Sequence, residues 1–228
     1  MKIGLISDIH SNLAAFRAVL SDMPRVDEII CAGDLVGYGA EPNEVLKLAR
    51  AKGIMAVMGN HDRAALTRDV RGMNDRAAAA ALWTAERLTR ENLDYLASLP
   101  THLELKLEGQ RIYVVHGSPR DPFNEYVFPD FSHQEMVEVV RGVEADVIVL
   151  GHTHIPMRRL VLGINVFNPG GVGQPRDRDP RASYAVMELA EELRIRFQRV
   201  EYDVEAAAEK IKEAGLPEEL ATRLFFGW

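Results

Sequence analysis

Ile3-Gly4-Leu5-Ile6-Ser7-Asp8-Ile9-His10-Ser11 begins as a short buried-strand run and stops abruptly on polar residues. The stretch that follows, Asn12 to Met23, carries Leu13, Phe16, Val19 and Leu20 at helical spacing. The same unit then recurs. Glu28 to Ala32 reads as a second strand ending in Gly33-Asp34, and Asn43 to Lys52 as the next helix. Ile54 to Met58 reads as a third strand, ending in Gly59-Asn60-His61-Asp62. Strand, helix, strand, helix, strand is the pattern of right-handed βαβ units on a parallel sheet.

Beyond this core the pattern changes. Asn74 to Leu99 is rich in Ala, Leu and charged residues, and predicts one long helix or two shorter ones ending before Pro100. His102 to Leu107 and Arg111 to Val115 flank Glu108-Gly109-Gln110 as a hairpin. A proline-punctuated aromatic loop, Pro119 to Pro129, precedes a helix from Ser132 to about Gly142. Asp146 to Leu150 is another buried strand, ending at Gly151-His152-Thr153-His154. Arg158 to Val161, Ile164 to Phe167, Tyr184 to Leu189 and Leu193 to Val200 read as antiparallel strands, interrupted by the Gly/Pro/Arg loop Asn168 to Arg181. Val204 to Ala214 is a helix, and a helical tail follows Pro217. With no repeat or linker in view, residues 1–228 are expected to form a single α/β domain.

Composition narrows the function classes. The chain has 27 Lys+Arg against 34 Asp+Glu, a net charge of −7, so neither a polybasic membrane anchor nor a stable nucleic-acid complex is expected. Cys31 is the only cysteine, which rules out a disulfide framework and a thiolate metal cage. The N-terminal run is broken by Asp8 and does not read as a secretory signal, and no apolar stretch is long enough to span a bilayer. A cytoplasmic protein is the expectation.

The polar residues carry the chemistry. Predicted strands end within a few residues of Asp8/His10, Asp34, Asn60, His116 and His152/His154, and five of the seven histidines sit in these turns. In open α/β sheets ligands bind at the carboxyl edge of the strands. Any one of these residues has a plain structural explanation, because Asp and Asn are common turn and helix-capping residues. Their joint placement is harder to explain that way. Imidazole, carboxylate and carboxamide donors without sulfur suit Mn²⁺, Fe, Co²⁺, Ni²⁺ or Zn²⁺. Seven donors are too many for one tetrahedral ion with an open position, and suit two divalent ions roughly 3.5–4 Å apart.

Asp8-Ile9-His10, Gly33-Asp34, Gly59-Asn60-His61-Asp62, His116-Gly117 and Gly151-His152-Thr153-His154 occur in the order that defines the calcineurin-like metallophosphoesterases. The chain resembles their small bacterial and archaeal members over nearly its whole length, through Asn168-Pro169-Gly170 and the strands beyond. The resemblance implies a four-layer αββα sandwich, with two mixed β-sheets face to face and helices outside. It implies that one metal takes Asp8, His10, Asp34 and His154. The other takes Asp34, Asn60, His116 and His152, with Asp34 bridging. It also implies phosphoester hydrolysis by a water or hydroxide held between the ions, with Mn²⁺ the first choice of metal. His61 resembles the family's non-ligand histidine, which protonates or stabilises the leaving oxygen. Asp62 either orients the His61 ring or is a turn or capping residue. The protein Ser/Thr phosphatases carry an Arg shortly after the second motif, where this chain has Leu35-Val36-Gly37-Tyr38-Gly39, so a protein-phosphatase role is disfavoured.

The substrate is expected to be a small phosphoester or nucleotide: a diester, a monoester or a nucleoside polyphosphate. In the Asn168–Arg181 loop, Arg176 is the leading candidate to bind a substrate phosphate, beside Asn60 and His61. The alternative is a solvated or dimer-facing loop, which leaves a homo-oligomer open. Phe123, Tyr126, Phe128 and Phe131 either wall the site or pack their own loop down, the second being the commoner behaviour. The helical segment 74–99 is either a partial lid or, the favoured reading, core packing through Trp83, Leu88 and Leu93. Rival functions are a non-catalytic scaffold of the same fold, which predicts missing ligands, and a metal-dependent nuclease for short oligonucleotides, which the acidic balance disfavours.

Overall fold

Strand β1 (Lys2–Ile6) lies at the centre of a five-stranded sheet because its side chains are buried on both faces. The computed structural model describes residues 1–190 and 192–228. After β1 come α1 (Leu13–Asp22), β2 (Glu28–Cys31), α2 (Pro42–Ala51) and β3 (Met55–Ala56), so the first sheet begins as two parallel βαβ units. Helix α3 (Asn60–Thr67), α4 (Asp75–Arg87) and α5 (Arg90–Ser98) follow, then β4 (His102–Leu107), β5 (Gln110–Val115), α6 (His133–Val140) and β6 (Val147–Val149). Strands β7 (Met157–Val161), β8 (Ile164–Asn168), β9 (Ala182–Glu188) and β10 (Arg194–Val200) precede α7 (Val204–Glu213), α8 (Glu218–Thr222) and a final 3₁₀ turn, Arg223–Phe225.

The first sheet has the order β10-β9-β1-β2-β3 and the second β4-β5-β6-β8-β7. Both are mixed: β9 runs antiparallel to β1, whereas β6 runs parallel to β5 and β8. The period-two alternation of strands sorts the side chains into layers. Ile3, Leu5 and Ile30 from the first sheet meet Ile112, Val114 and Val149 from the second, forming the core between the sheets. On the outer face of the first sheet, Leu13, Phe16 and Val19 of α1 and Val45 and Leu46 of α2 close a second core. On the outer face of the second, Met136, Val139 and Val140 of α6 cover Ile148 and Val166. This is the αββα sandwich that the resemblance implied.

Two elements differ from expectation. The third strand is only Met55–Ala56, because the ladder ends on the Val57 N–H to Cys31 O bond (3.1 Å) and the Met58 N–H turns away to Pro100 O (2.8 Å). Asn60 is not only a strand end but the first residue of α3, a helix masked by its polar Asn-His-Asp-Arg start. Residues 74–99 form two helices, broken where Leu88 is extended and Thr89 caps α5 by accepting from the Asn92 N–H. Leu88 is in the core, Leu93 packs against it, and the Trp83 indole donates to Ala214 O at 2.9 Å. Only the first turn of α4 reaches the cleft beside the site, through Asn74 and Ala77. No described helix is long and apolar enough to cross a membrane.

Candidate metal centre

All seven residues singled out at the strand ends converge where the carboxyl edges of β1, β2, β5 and β6 meet the N-terminus of α3. Six are buried, and Asn60 is half-buried. The turns that bring them in are unusual: Asp8, His10, Asp34, His152 and His154 all adopt positive φ, between 49° and 68°. L-residues rarely sit in this left-handed region, and such strain clusters at functional sites. Asn168 fixes the last turn, its amide donating to Gly151 O (2.6 Å) and Thr153 Oγ1 (3.0 Å).

The donor atoms form two overlapping groups. In the first, His10 Nε2 lies 3.1 Å from His154 Nε2, and His154 Nε2 lies 3.3 Å from Asp8 Oδ1. In the second, His116 Nε2 lies 3.0 Å from Asn60 Oδ1, 3.1 Å from His152 Nδ1 and 3.2 Å from Asp34 Oδ2. Asp34 joins them, since Oδ2 is also 3.5 Å from His10 Nε2. The His61 backbone N–H donates to Oδ1 at 2.8 Å and so aims Oδ2 inward, where it is buried without a hydrogen-bond partner.

Tautomers decide what this centre needs. The Nδ1 atoms of His10 and His154 face the carbonyl oxygens of Val36 (3.1 Å) and Gln174 (2.5 Å), so in each ring Nδ1 carries the proton. Burial holds both rings well below the usual histidine range, so neither gains a second proton. Two nitrogen lone pairs therefore face each other across 3.1 Å with no proton between them. That arrangement is repulsive unless a cation sits among them. The donor set and the orphaned Asp34 oxygen fit a divalent metal.

The remaining charges agree. Burial pushes His116 down, but the Asp34 carboxylate outweighs it and lifts the ring to about 9. A proton on His116 thus supplies part of the positive charge when no metal is bound. Burial pushes Asp34 up, but His116 and His61 outweigh it and hold the carboxyl well below its usual range. Burial raises Asp8 to about 7 and lowers His61 to about 4 and His152 to about 3.

His61 lies beside the centre, its ring centroid 4.9 Å from that of His10 and 4.3 Å from that of Tyr38. Gly37 packs beneath it at φ +94°, where an added Cβ would lie 2.5 Å from His61 Nδ1. The expected orienting contact from Asp62 to the His61 ring is not formed. Both Asp62 oxygens are taken by backbone donors, Val36 N–H and Gly59 N–H, each at 3.0 Å. Asp62 is therefore the capping residue of the alternative reading.

Of the loop arginines, Arg176 alone reaches the centre, its charge acting on Asp8, His10, His61, His152 and His154. Its Nη2 donates to Tyr38 Oη (3.2 Å) and Gln174 Oε1 (3.0 Å), both neutral. Arg181 turns away to Asp179, and Arg178 is exposed. A cleft of about 130 Å³ opens from Asn60, His61 and His152 between Tyr38, Phe123 and Tyr126. Tyr126 stacks on His152 with centroids 3.7 Å apart, whereas Phe131 packs into the core under α6. The aromatic loop thus divides between the two readings. Tyr38 was given no role from the sequence; its signal was an aromatic between two glycines just after the second motif.

Residues 1–192 match the family model described as the calcineurin-like phosphoesterase superfamily domain. The chain is similar to the uncharacterized protein MJ0912 of Methanocaldococcus jannaschii, 40% identical over 99% of this chain and 98% of that one. It is also similar to phosphodiesterase YfcE of Escherichia coli strain K12, 28% identical over 82% of this chain and 88% of that one. Among solved structures it resembles a metallophosphoesterase from Sphaerobacter thermophilus, 39% identical with a TM-score of 0.88 and all of both chains covered. The chain belongs to the calcineurin-like phosphoesterase superfamily, whose members are phosphoesterases that bind divalent metals.

Proposed function

We propose that this protein hydrolyses small phosphoesters (diesters, monoesters or nucleoside polyphosphates) with two divalent cations held by the seven donors. The observation that carries this reading is the close approach of His10 Nε2 and His154 Nε2, 3.1 Å apart, beside a buried Asp34 oxygen without a hydrogen-bond partner. Asp8, His10, Asp34 and His154 would hold one ion, and Asp34, Asn60, His116 and His152 the other. Mn²⁺ is the first choice, with Fe, Co²⁺, Ni²⁺ and Zn²⁺ compatible with the same donors. When bound, the ions would supply Lewis-acid stabilisation of phosphoryl oxygens and an activated water.

The chain's own groups do the rest. The backbone carbonyls of Val36, Ala32 and Gln174 fix the rings of His10, His116 and His154 before any ligand arrives, so little reorganisation is needed on binding. His61, whose ring nitrogen also lies within 4.8 Å of donor atoms of His10 and Asp34, would act as the non-ligand histidine and donate a ring N–H to the leaving oxygen. Arg176, positively charged and with its Nη2 bonded to neutral partners, would grip a non-bridging phosphoryl oxygen. The cleft by Tyr126 would receive the organic group of the ester. The YfcE name, a phosphodiesterase, supports trying diesters first.

The test is turnover of bis(p-nitrophenyl) phosphate by metal-free protein supplemented in turn with Mn²⁺, Co²⁺, Ni²⁺ and Zn²⁺, alongside metal content by mass spectrometry. Two bound ions and turnover with at least one metal are expected. No turnover with any of the four would overturn the reading.

A further inference from the structure

The cleft beside the donors holds an arginine with no acidic partner. Its lining brings Asn60, His61 and His152 of the centre together with Arg63, Phe123 and Tyr126. Arg63 is three residues along α3 from Asn60, so the two side chains leave the same face of the helix. Phe123 comes from the turn that follows His116. There the Gly117 N–H donates to Pro122 O (2.8 Å), the Ser118 N–H to Asp121 O (3.0 Å) and the Phe123 N–H to Asp121 Oδ1 (3.2 Å). The turn is tight, since an added Cβ on Gly117 would lie 2.6 Å from Asp121 O. The Arg63 guanidinium lies over the Phe123 ring, its Cζ 4.4 Å from the centroid. The pair thus ties together the two chain segments that carry Asn60 and His116, and both segments fix it relative to the centre.

The guanidinium has its platform but no counter-ion. Among the described residues Arg63 forms no ion pair and no side-chain hydrogen bond, only the ring contact. The other arginine of the cleft, Arg71, is neutralised: its Nε and Nη2 donate to the two oxygens of Asp69 at 2.8 and 2.6 Å. Among the described residues Asp69 is the one carboxylate in the lining, and that pairing commits both its oxygens. The Asn124 amide is turned to Asp121, at 3.0 and 3.3 Å. A ring against one face of a guanidinium strips water from that face and leaves the N–H donors round its edge, in the plane where an oxyanion binds. Arg63 is half-buried, so an anion reaching it from the cleft meets a field less screened than on open surface.

We propose that Arg63, held on Phe123, binds an oxyanion on the organic group of the substrate, either a carboxylate or a second phosphoryl group. The preferred substrates are then phosphoesters whose alcohol or phenol part is itself anionic, over neutral ones of similar shape. This rests on the phosphoesterase reading and names the substrate class for it.

The experiment compares methyl phenyl phosphate with methyl 3-carboxyphenyl phosphate and methyl 3-phosphonophenyl phosphate, the released phenols being quantified by chromatography. The proteins are Mn²⁺-loaded wild type, Arg63→Gln and Arg63→Lys. A hydrogen-bonded contact to a charged group is worth about tenfold in affinity. Wild type is therefore expected to show a KM about tenfold lower for an anionic ester than for the neutral one, and the ester that gains more identifies the oxyanion. Arg63→Gln should bring the KM ratio to about one, and Arg63→Lys, which keeps the charge but not the flat fork, should recover part of the preference. A wild type that treats the esters alike, or a preference that survives Arg63→Gln, would overturn the subsite and leave Arg63 as packing for the aromatic loop. A second arm needs no turnover: phenylphosphonate and 3-carboxyphenylphosphonate are titrated into the same proteins by calorimetry. An advantage of about tenfold for the carboxylate in wild type, lost in Arg63→Gln, is expected, and equal binding of the two ligands by wild type would count against a carboxylate. The corresponding titration with benzene-1,3-diphosphonate decides the phosphoryl case in the same way. Absence of turnover in the wild type would sink the phosphoesterase reading, while the calorimetric arm still decides the subsite.

Discussion

Replacing Gly59 by alanine adds one methyl group and removes no donor atom, yet it is expected to disable the centre. Gly59 has φ −92° and ψ 175°, an extended conformation that alanine adopts freely, so the backbone is not strained. The obstacle is space. The new Cβ would lie 2.0 Å from Asp34 Oδ1, 2.4 Å from Asp34 N and 2.7 Å from Asp34 Cγ. Ordinary contact begins near 3.4 Å, so Oδ1 must retreat by about 1.4 Å, the difference between the two. That retreat breaks the 2.8 Å hydrogen bond from the His61 N–H and swings Oδ2 away from His116 and His10. A hydrogen bond to a charged group contributes about 1.5–3 kcal/mol, so the Mn²⁺ dissociation constant should rise at least about tenfold. Calorimetric titration of metal-free protein with Mn²⁺ measures this directly, and near-ultraviolet circular dichroism reports whether the core stays packed. Wild-type affinity and stoichiometry in a folded Gly59→Ala protein would refute the idea that Asp34 is held in place by the bare glycine.

Four further outcomes follow from the same geometry. His61→Ala should lower kcat by about 10²–10⁴-fold while mass spectrometry still finds both metals, and loss of metal would instead make His61 a ligand. Asp62→Ala leaves the buried N–H groups of Val36 and Gly59 unpaired and should cost about 3 kcal/mol in urea unfolding; a cost below about 1 kcal/mol would show those bonds to be dispensable. Metal-free protein should melt lower than loaded protein, by about 2.7 kcal/mol of stability at a free metal concentration of 100 times the dissociation constant. Stability of the metal-free protein should also depend steeply on acid. His10, His61, His152 and His154 are depressed in the fold, so at pH 5 the unfolded chain holds four protons that the folded chain does not. Asp8 and Asp62, each raised to about 7, hold two protons that the unfolded chain has released. Four less two leaves the unfolded state two protons ahead, so stability falls by about 3 kcal/mol per pH unit as pH drops from about 6 to about 4.5. Above about 7 the sign reverses, because His116, raised to about 9, keeps a proton in the fold that the unfolded chain has lost. Unfolding midpoints measured across this range would contradict the scheme if they rose toward acid.

How much of this was legible in the sequence follows from what each feature depends on. The strands and their polar ends could be read because continuous apolar runs and strand-terminal placement are local properties, visible at Ile3 to Ile6 and again at Asp146 to Leu150. The pairing of β1 with β9 and of β6 with β8 brings together residues far apart in sequence, so the layering came from resemblance and not from periodicity. Helix α3 was hidden because its first turn is made of site residues chosen for chemistry rather than helix propensity. The hydrogen bonds of Asp62 could not be foreseen, since a carboxylate after a histidine looks the same whether it faces a ring or the backbone. Tyr38 was invisible for the same reason: it matters only because the fold turns its ring onto His61 and its hydroxyl to Arg176.

The donors also have a structural address. Asp8, His10, Asp34 and Asn60 leave the end of the first sheet, while His116, His152 and His154 leave the second. A cation held by both sets would be a clasp across the sandwich and would oppose separation of the sheets. It also sets an order of events during synthesis. A nascent chain holds four of the seven donors by residue 60 but cannot close the clasp until residue 154 has emerged and the second sheet has docked. Metal bound by both sets would therefore report that the two sheets have docked.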